Sequence, residues 1–210
     1  MKPETAKREE LCQVARSLFE RGLSHGATGN LSVRIGDGWL MTPTGASLGA
    51  LDPAQLAHLD ASGRRLGGAP PTKEHALHLA MYRANDGLAA VVHSHSLHAV
   101  AVSVLRDVDL QDALPPLTAY YVMRVGHLPV LPYFPPGDPG LAAAVGACAA
   151  RHHAMLLANH GPVVGGATLG AAVDAMEELE ATARLFLLLR GLPTRCLDAA
   201  QVAQLRQASQ

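Results

Sequence analysis

The sequence predicts an α/β domain in which a central mixed or antiparallel sheet is flanked by helices. Three observations carry this. A turn bracketed by glycines, Gly36-Asp37-Gly38, joins two short apolar runs early in the chain, as an antiparallel hairpin requires. Segments with apolar residues at helical spacing are scattered from end to end. Short apolar runs at 89–94 and 154–158 stop at polar residues, as strands do where a sheet meets its loops. Residues 1–210 are read as one domain.

Taken in order, Leu11, Val14, Ala15, Leu18 and Phe19 repeat at helical spacing and Gly22 ends the run, so 4–21 is predicted helical. Thr28-Gly29-Asn30 is a glycine turn leading into the hairpin strands 31–35 and 39–42. A second tight loop, Thr42-Pro43-Thr44-Gly45, follows, and 57–60 reads as a further strand. Gly67 to Pro71 breaks the chain, and Thr72 is placed to cap a helix over 73–83 with Leu77, Ala80 and Met81 on its apolar stripe. The strand at 89–94 precedes a helix at 97–105 and a loop at 108–116, and 117–125 fits helix or strand. The prolines between 129 and 139 exclude a helix or a central strand there, leaving an ordered loop or a sheet edge. An alanine-rich helix at 141–151 leads to strands at 154–158 and 163–165. Thr168 caps a long helix that Gly191 and Pro193 stop after 190, and 199–207 is a last short helix.

Composition narrows the function. The chain has 210 residues and a formal charge of −1, so no basic surface points to nucleic acid. The first ten residues lack the apolar core of a signal peptide, and the most apolar late stretch, 183–189, is too short to span a bilayer. Cys12, Cys148 and Cys196 are odd in number and far apart, which fits a reducing compartment. The expectation is a cytoplasmic protein with no membrane partner. Cys12 and Cys148 read as small buried residues in helices.

The chemistry centres on His93-Ser94-His95. On a strand, residues two apart share a face, so both imidazoles point one way and Ser94 the other. Such a pair suits a divalent metal that favours nitrogen, such as zinc, although an isolated His-X-His also reads as polar residues ending a strand. Two further sites sharpen it. Glu74 lies in the first turn of a helix, and His160 ends another apolar run in Asn159-His160-Gly161. Three neutral imidazoles with an open position make a catalytic zinc site, and a neighbouring carboxylate can ligate the metal and move protons. The loops Thr28-Gly29-Asn30 and Thr44-Gly45 offer hydroxyls, an amide and backbone N–H groups of the kind that bind phosphate, and Thr72 adds a helix start. Each loop alone also reads as an ordinary turn.

These pieces, in this order and spacing, resemble the class II aldolase/adducin family. They are Thr28-Gly29-Asn30-Leu31-Ser32, Thr42-Pro43-Thr44-Gly45, Pro71-Thr72-Lys73-Glu74, His93-Ser94-His95-Ser96 and Asn159-His160-Gly161. The resemblance spans roughly residues 4–190 and is carried by the ordered set rather than by any one piece. It implies a three-layer α/β/α sandwich with a mostly antiparallel central sheet, assembled as a homotetramer. It implies zinc on His93, His95 and His160, with manganese or cobalt as the alternatives, and Glu74 as acid/base. It implies a phosphate site among Thr28, Gly29, Asn30, Thr44, Gly45 and Thr72. Tyr120 resembles the proton-donating tyrosine of the fuculose-phosphate aldolases, and reads equally as an interface or core tyrosine.

Two departures separate this chain from those aldolases. Lys73 stands where they have a serine, and the segments around Tyr120–Gly126 and Pro132–Pro139 look more like the 3-oxo-tetronate 4-phosphate decarboxylases. The expected activity is therefore a metal-dependent carbon–carbon lyase on a small phosphorylated sugar acid, giving dihydroxyacetone phosphate and carbon dioxide. An aldolase is the alternative. An epimerase is disfavoured because those enzymes usually carry Asp where Glu74 stands, and a non-catalytic adducin-like module because it predicts a lost metal set. Lys73 reads either as a solvated lysine or as a cation over the substrate phosphate. His75, His78, His98, His152 and His153 are given no role, and the last two are expected to be exposed; Asp138 reads as a turn residue.

Overall fold

The computed structural model describes residues 3–135 and 138–208. Its strands are β1 (Asn30–Ile35), β2 (Gly38–Met41), β3 (Ala57–Leu59), β4 (Arg65–Gly67), β5 (Ala90–His93), β6 (Val130–Leu131), β7 (Ala154–Leu157) and β8 (Gly161–Gly166). They form one eight-stranded sheet in the order β4-β3-β2-β1-β5-β8-β7-β6. Every neighbouring pair is antiparallel except β6 with β7. The helices are α1 (Pro3–Glu20), α2 (His75–Ala84), α3 (Leu97–Ser103), α4 (Ala119–Arg124), α5 (Pro139–Ala149), α6 (Leu169–Leu189) and α7 (Ala199–Ala208).

Strand alternation sorts the core into two layers. Leu31, Val33, Ala90, Val92, Leu156 and Val164 pack with residues of α1, α3, α4 and α6. Val91, Met155, Leu157 and Val163 pack on the other face with α2 and α5. The result is the expected three-layer α/β/α sandwich around a mostly antiparallel sheet. Among the described residues no helix is long and apolar enough to cross a membrane.

The differences from the sequence reading lie at element ends. The helix expected from 73 begins at His75, because the Thr72 hydroxyl accepts from the Glu74 backbone N–H and Glu74 itself takes the N-cap position. Residues 117–125 resolve as α4, whose cap Thr118 accepts from the Tyr121 N–H. The proline-rich stretch gives the edge strand β6; its residues 136 and 137 lie outside the described ones. Asp138 is more than a turn residue, since its carboxylate caps α5 through the Gly140 N–H. The strand β4 was not anticipated; its residues are all exposed, so no apolar alternation marks it. Cys148 is buried, Cys12 half-buried and Cys196 exposed.

Gly161 shows how tightly β8 meets β5. A Cβ there would sit 2.4 Å from the Ser94 carbonyl oxygen, so the two backbones can approach only because residue 161 has none. Gly161→Ala is expected to lower stability by about 1–3 kcal/mol, the usual cost of forcing atoms into packed space. Urea unfolding measures this, and an unchanged midpoint contradicts it.

Candidate metal centre

The centre is built at one end of the three middle strands. His93 is the last residue of β5 and pairs in register with Asn30 of β1 on one side and Val163 of β8 on the other. It shares the face of Val91, toward α2. The alternation continues past the end of the strand. Ser94 donates its hydroxyl to Met176 Sδ of α6 at 3.2 Å, on the opposite face, and His95 returns to the side of His93. His160 lies in the tight turn between β7 and β8, where Asn159 takes a left-handed φ of 58°, a conformation asparagine tolerates better than most residues. Glu74 enters from the start of α2.

Four side chains converge. His93 Nε2 lies 3.2 Å from His95 Nε2 and 3.3 Å from His160 Nε2. Glu74 Oε2 is 3.4 Å from His93 Nε2, and Oε1 is 3.2 Å from His160 Nε2. Ligands about 2.05 Å from a tetrahedral zinc stand about 3.3 Å apart, so these separations fit a common ion. The donor set points the same way. His93 Nδ1 is 2.8 Å from the Pro162 carbonyl and donates its hydrogen to it, leaving Nε2 a bare lone pair. That lone pair faces a carboxylate oxygen and two more imidazole nitrogens, an arrangement that a shared cation satisfies.

The electrostatics are those of a partly buried polar cluster. Burial pushes the fully buried His93 below its ordinary value, against the pull of Glu74, and pushes His95 down to about 3. For Glu74 burial alone raises the carboxyl, but the neighbouring His93 and hydrogen bonds from His160 and Asn30 outweigh it and hold it well below the usual carboxylate range.

Two of the loops grouped by sequence as an anion site are joined. Thr44 N–H donates to the Pro70 carbonyl, Thr72 N–H donates to the Thr42 carbonyl, and Pro43 bridges to Pro71. This ties the Thr44-Gly45 loop to the Thr72-Lys73 segment. Thr44, Gly45 and Lys73 are exposed, and Thr72 is buried. The Thr28 hydroxyl donates to the His25 carbonyl, and Gly29, at a φ of 76°, leaves only 3.0 Å between a would-be Cβ and the His93 carbonyl. Asn30 differs from the rest. It is buried, its amide donates to Glu74 Oε2 at 2.7 Å, and its carbonyl meets His78 Nε2 at 2.5 Å. Tyr120 is 61% exposed with its ring near the Arg124 guanidinium, and among the described residues no hydrogen bond joins it to the four converging side chains.

Comparison with known proteins agrees with this geometry. The model of the class II aldolase and adducin N-terminal domain matches residues 9–187. The chain belongs to the class II aldolase and adducin family. It is 47% identical over 206 residues to the 3-oxo-tetronate 4-phosphate decarboxylase of Escherichia coli strain K12, covering 98% of this chain and 97% of that protein. The protein of that name from Cupriavidus necator is 44% identical over 214 residues, covering 100% and 99%. The crystal structure of YgbL from Escherichia coli matches with a TM-score of 0.96 at 45% identity, covering 98% of this chain and 100% of that one.

Sequence reasoning missed two polar contacts in this family member. His78 is fully buried and hydrogen-bonded on both ring nitrogens. Glu180 of α6 caps α3, its carboxylate accepting from the backbone N–H groups of His98 and Ala99 and meeting His98 Nδ1 at 2.7 Å. The signal for His78 was present as a four-residue spacing from Glu74, which puts both on one helix face. His152 and His153 are half-buried rather than exposed, and His153 Nδ1 lies 3.1 Å from the Gly165 carbonyl.

The buried imidazoles make metal-free stability depend on pH. Burial lowers His78 and His95 from 6.5 to about 3. Below about pH 6.5 the unfolded chain therefore binds protons that the folded one refuses, so stability is complete above that value and falls as pH drops toward 3. Urea midpoints of the metal-free protein are expected to decline steadily from neutral pH to about pH 4. A flat profile over that interval contradicts the assignment.

Proposed function

We propose that this chain is a metal-dependent carbon–carbon lyase that decarboxylates a 3-oxo-tetronate 4-phosphate to dihydroxyacetone phosphate and carbon dioxide. The observation that carries it is the convergence of Glu74, His93, His95 and His160 in a chain nearly half identical, over its whole length, to proteins named for that reaction. His93, His95 and His160 hold the ion, which we read as zinc, and Glu74 lies against them. A divalent ion there supplies Lewis-acid stabilisation for the negative charge that develops as the C–C bond breaks.

The rest is the work of side chains. When the bond to the carboxylate carbon breaks, carbon dioxide leaves and an electron pair stays on the substrate. A proton must quench it, and Glu74 is the carboxyl group in the cluster able to deliver one and recover it from solvent. Asn30 donates to one Glu74 oxygen and so orients the carboxyl group. We place the phosphate among the loops carrying Thr28, Gly29, Thr44, Gly45 and Thr72, where the Thr44 and Thr72 hydroxyls can donate to it, and Asn30 retains one amide hydrogen for the substrate. Lys73 is exposed beside them and acts as a point charge toward the phosphate rather than the carboxylate. Holding the carboxylate tightly would stabilise the ground state that decarboxylation has to leave.

The assembly is read as a homotetramer in the cytoplasm, each chain working as one domain. Exposed apolar side chains such as Tyr120, Met123 and Leu188 support burial between subunits. Tyr120 acts, if at all, in a neighbour's site. Decarboxylation does not require its proton, since no aldehyde oxygen is released.

Incubation with 3-oxo-tetronate 4-phosphate is expected to release carbon dioxide and dihydroxyacetone phosphate in equal amounts; retro-aldol cleavage of fuculose phosphate at a higher kcat/KM overturns this reading. In the same assay Glu74→Gln keeps shape but loses proton transfer, and turnover is expected to fall about 10²–10⁴-fold. Near-wild-type turnover moves the acid/base elsewhere.

Lys73→Ser is expected to raise KM for the phosphorylated substrate with a smaller loss in kcat, because a phosphate contact is made in ground and transition state alike. Unchanged constants return Lys73 to the solvated surface.

A further inference from the structure

His78, Ser32 and Tyr82 are buried polar groups that the proposed reaction leaves without work. They are not scattered. Glu74, His78 and Tyr82 are spaced four residues apart along one face at the start and through the body of α2. Asn30 and Ser32 are two apart on β1, on the sheet face that meets α2. Four residues of helix advance about 6 Å and two residues of strand about 6.7 Å, so the two rows stay in step and interleave.

The interleaving produces one continuous chain of hydrogen bonds. Tyr82 Oη lies 2.8 Å from Ser32 Oγ, which lies 2.7 Å from His78 Nδ1. His78 Nε2 lies 2.5 Å from Asn30 Oδ1, and Asn30 Nδ2 lies 2.7 Å from Glu74 Oε2. Its direction follows from one end. An ionised carboxylate only accepts, so the Asn30 group facing Glu74 is the amide nitrogen. The Asn30 carbonyl then faces His78, whose Nε2 must carry the hydrogen. Burial keeps His78 neutral, with its value lowered to about 3, so Nδ1 is bare and accepts from the Ser32 hydroxyl. Ser32 in turn accepts from Tyr82, whose phenol burial holds in its protonated form. Every donor points toward Glu74.

We propose that His78, held by Ser32 and Tyr82, is a positioning residue: it locks the Asn30 amide in the orientation that donates to Glu74 Oε2 and so aims the carboxyl group. An asparagine without this partner can turn its amide over, presenting a carbonyl to the carboxylate and repelling it. This deepens the role given to Glu74 above and rests on it, while the tautomer of His78 does not depend on which substrate is turned over.

Two measurements test it. In the ¹⁵N spectrum of histidine-labelled holoenzyme, His78 is expected as the neutral Nε2–H tautomer; an Nδ1–H or doubly protonated ring overturns the proposal whatever the reaction proves to be. His78→Phe keeps a ring but removes the donor to Asn30. It is expected to lower kcat by about 10–100-fold, the range typical of partners that orient residues at a metal site, with KM changed much less. His78→Gln, which restores an N–H near the position of Nε2, is expected to recover most of the loss. Equal losses in the two variants, or a wild-type kcat in His78→Phe, overturn the proposal. Should His78→Phe fail to fold, Ser32→Ala takes its place: it frees the ring to rotate and is expected to lower kcat several-fold, and an unchanged kcat again overturns the lock.

Discussion

A bare imidazole nitrogen directed at a carboxylate and two further imidazoles organises this protein. His93 gives its only ring hydrogen to the Pro162 carbonyl, so its Nε2 meets two histidines and a carboxylate with nothing to donate. In a buried site that geometry is unfavourable until a cation occupies the centre. The surrounding structure holds the four groups together all the same. β5 is clamped in register between β1 and β8, and Gly161 lets the β8 backbone approach Ser94 more closely than any side chain would allow.

The same clamp explains why Glu74 sits where it does. Thr72 consumes its hydroxyl on the Glu74 N–H, which delays the helix until His75 and leaves the Glu74 side chain free to turn toward the histidines. Asn30 stands directly across from His93 in the sheet and reaches Glu74 from the strand side. His93 and Asn30 are thus held by backbone pairing, which fixes their positions as strand residues are fixed. The outer loops that carry Thr44, Gly45 and Lys73 are exposed. None of these three residues is among the four converging side chains.

Much of this was legible in the chain of letters. The hairpin at Gly36-Asp37-Gly38 announced β1 and β2, and the cap Thr168 sits where its side chain predicts. His93, His95 and His160 were readable because each ends an apolar run, and strand period puts the first two on one face. What escaped notice had weak local pattern. The strand β4 is exposed throughout, and β8 was read short because glycine and proline at its start look like a turn. His78 was dismissed because a histidine on a helix face is ordinary by itself; its meaning lies in a partner strand 46 residues away in sequence.

The sequence alone determined the layer pattern, the family, and the identity of the residues able to bind a metal, because periodicity and donor chemistry are local properties written residue by residue. Only the tertiary structure decided that the four donors lie within 4.8 Å of one another, that Asn30 donates to Glu74, and that β1 and α2 interlock through His78, Ser32 and Tyr82. Those facts depend on register between elements distant in the chain. Register is set by the packing of two whole faces against each other, which no local stretch encodes.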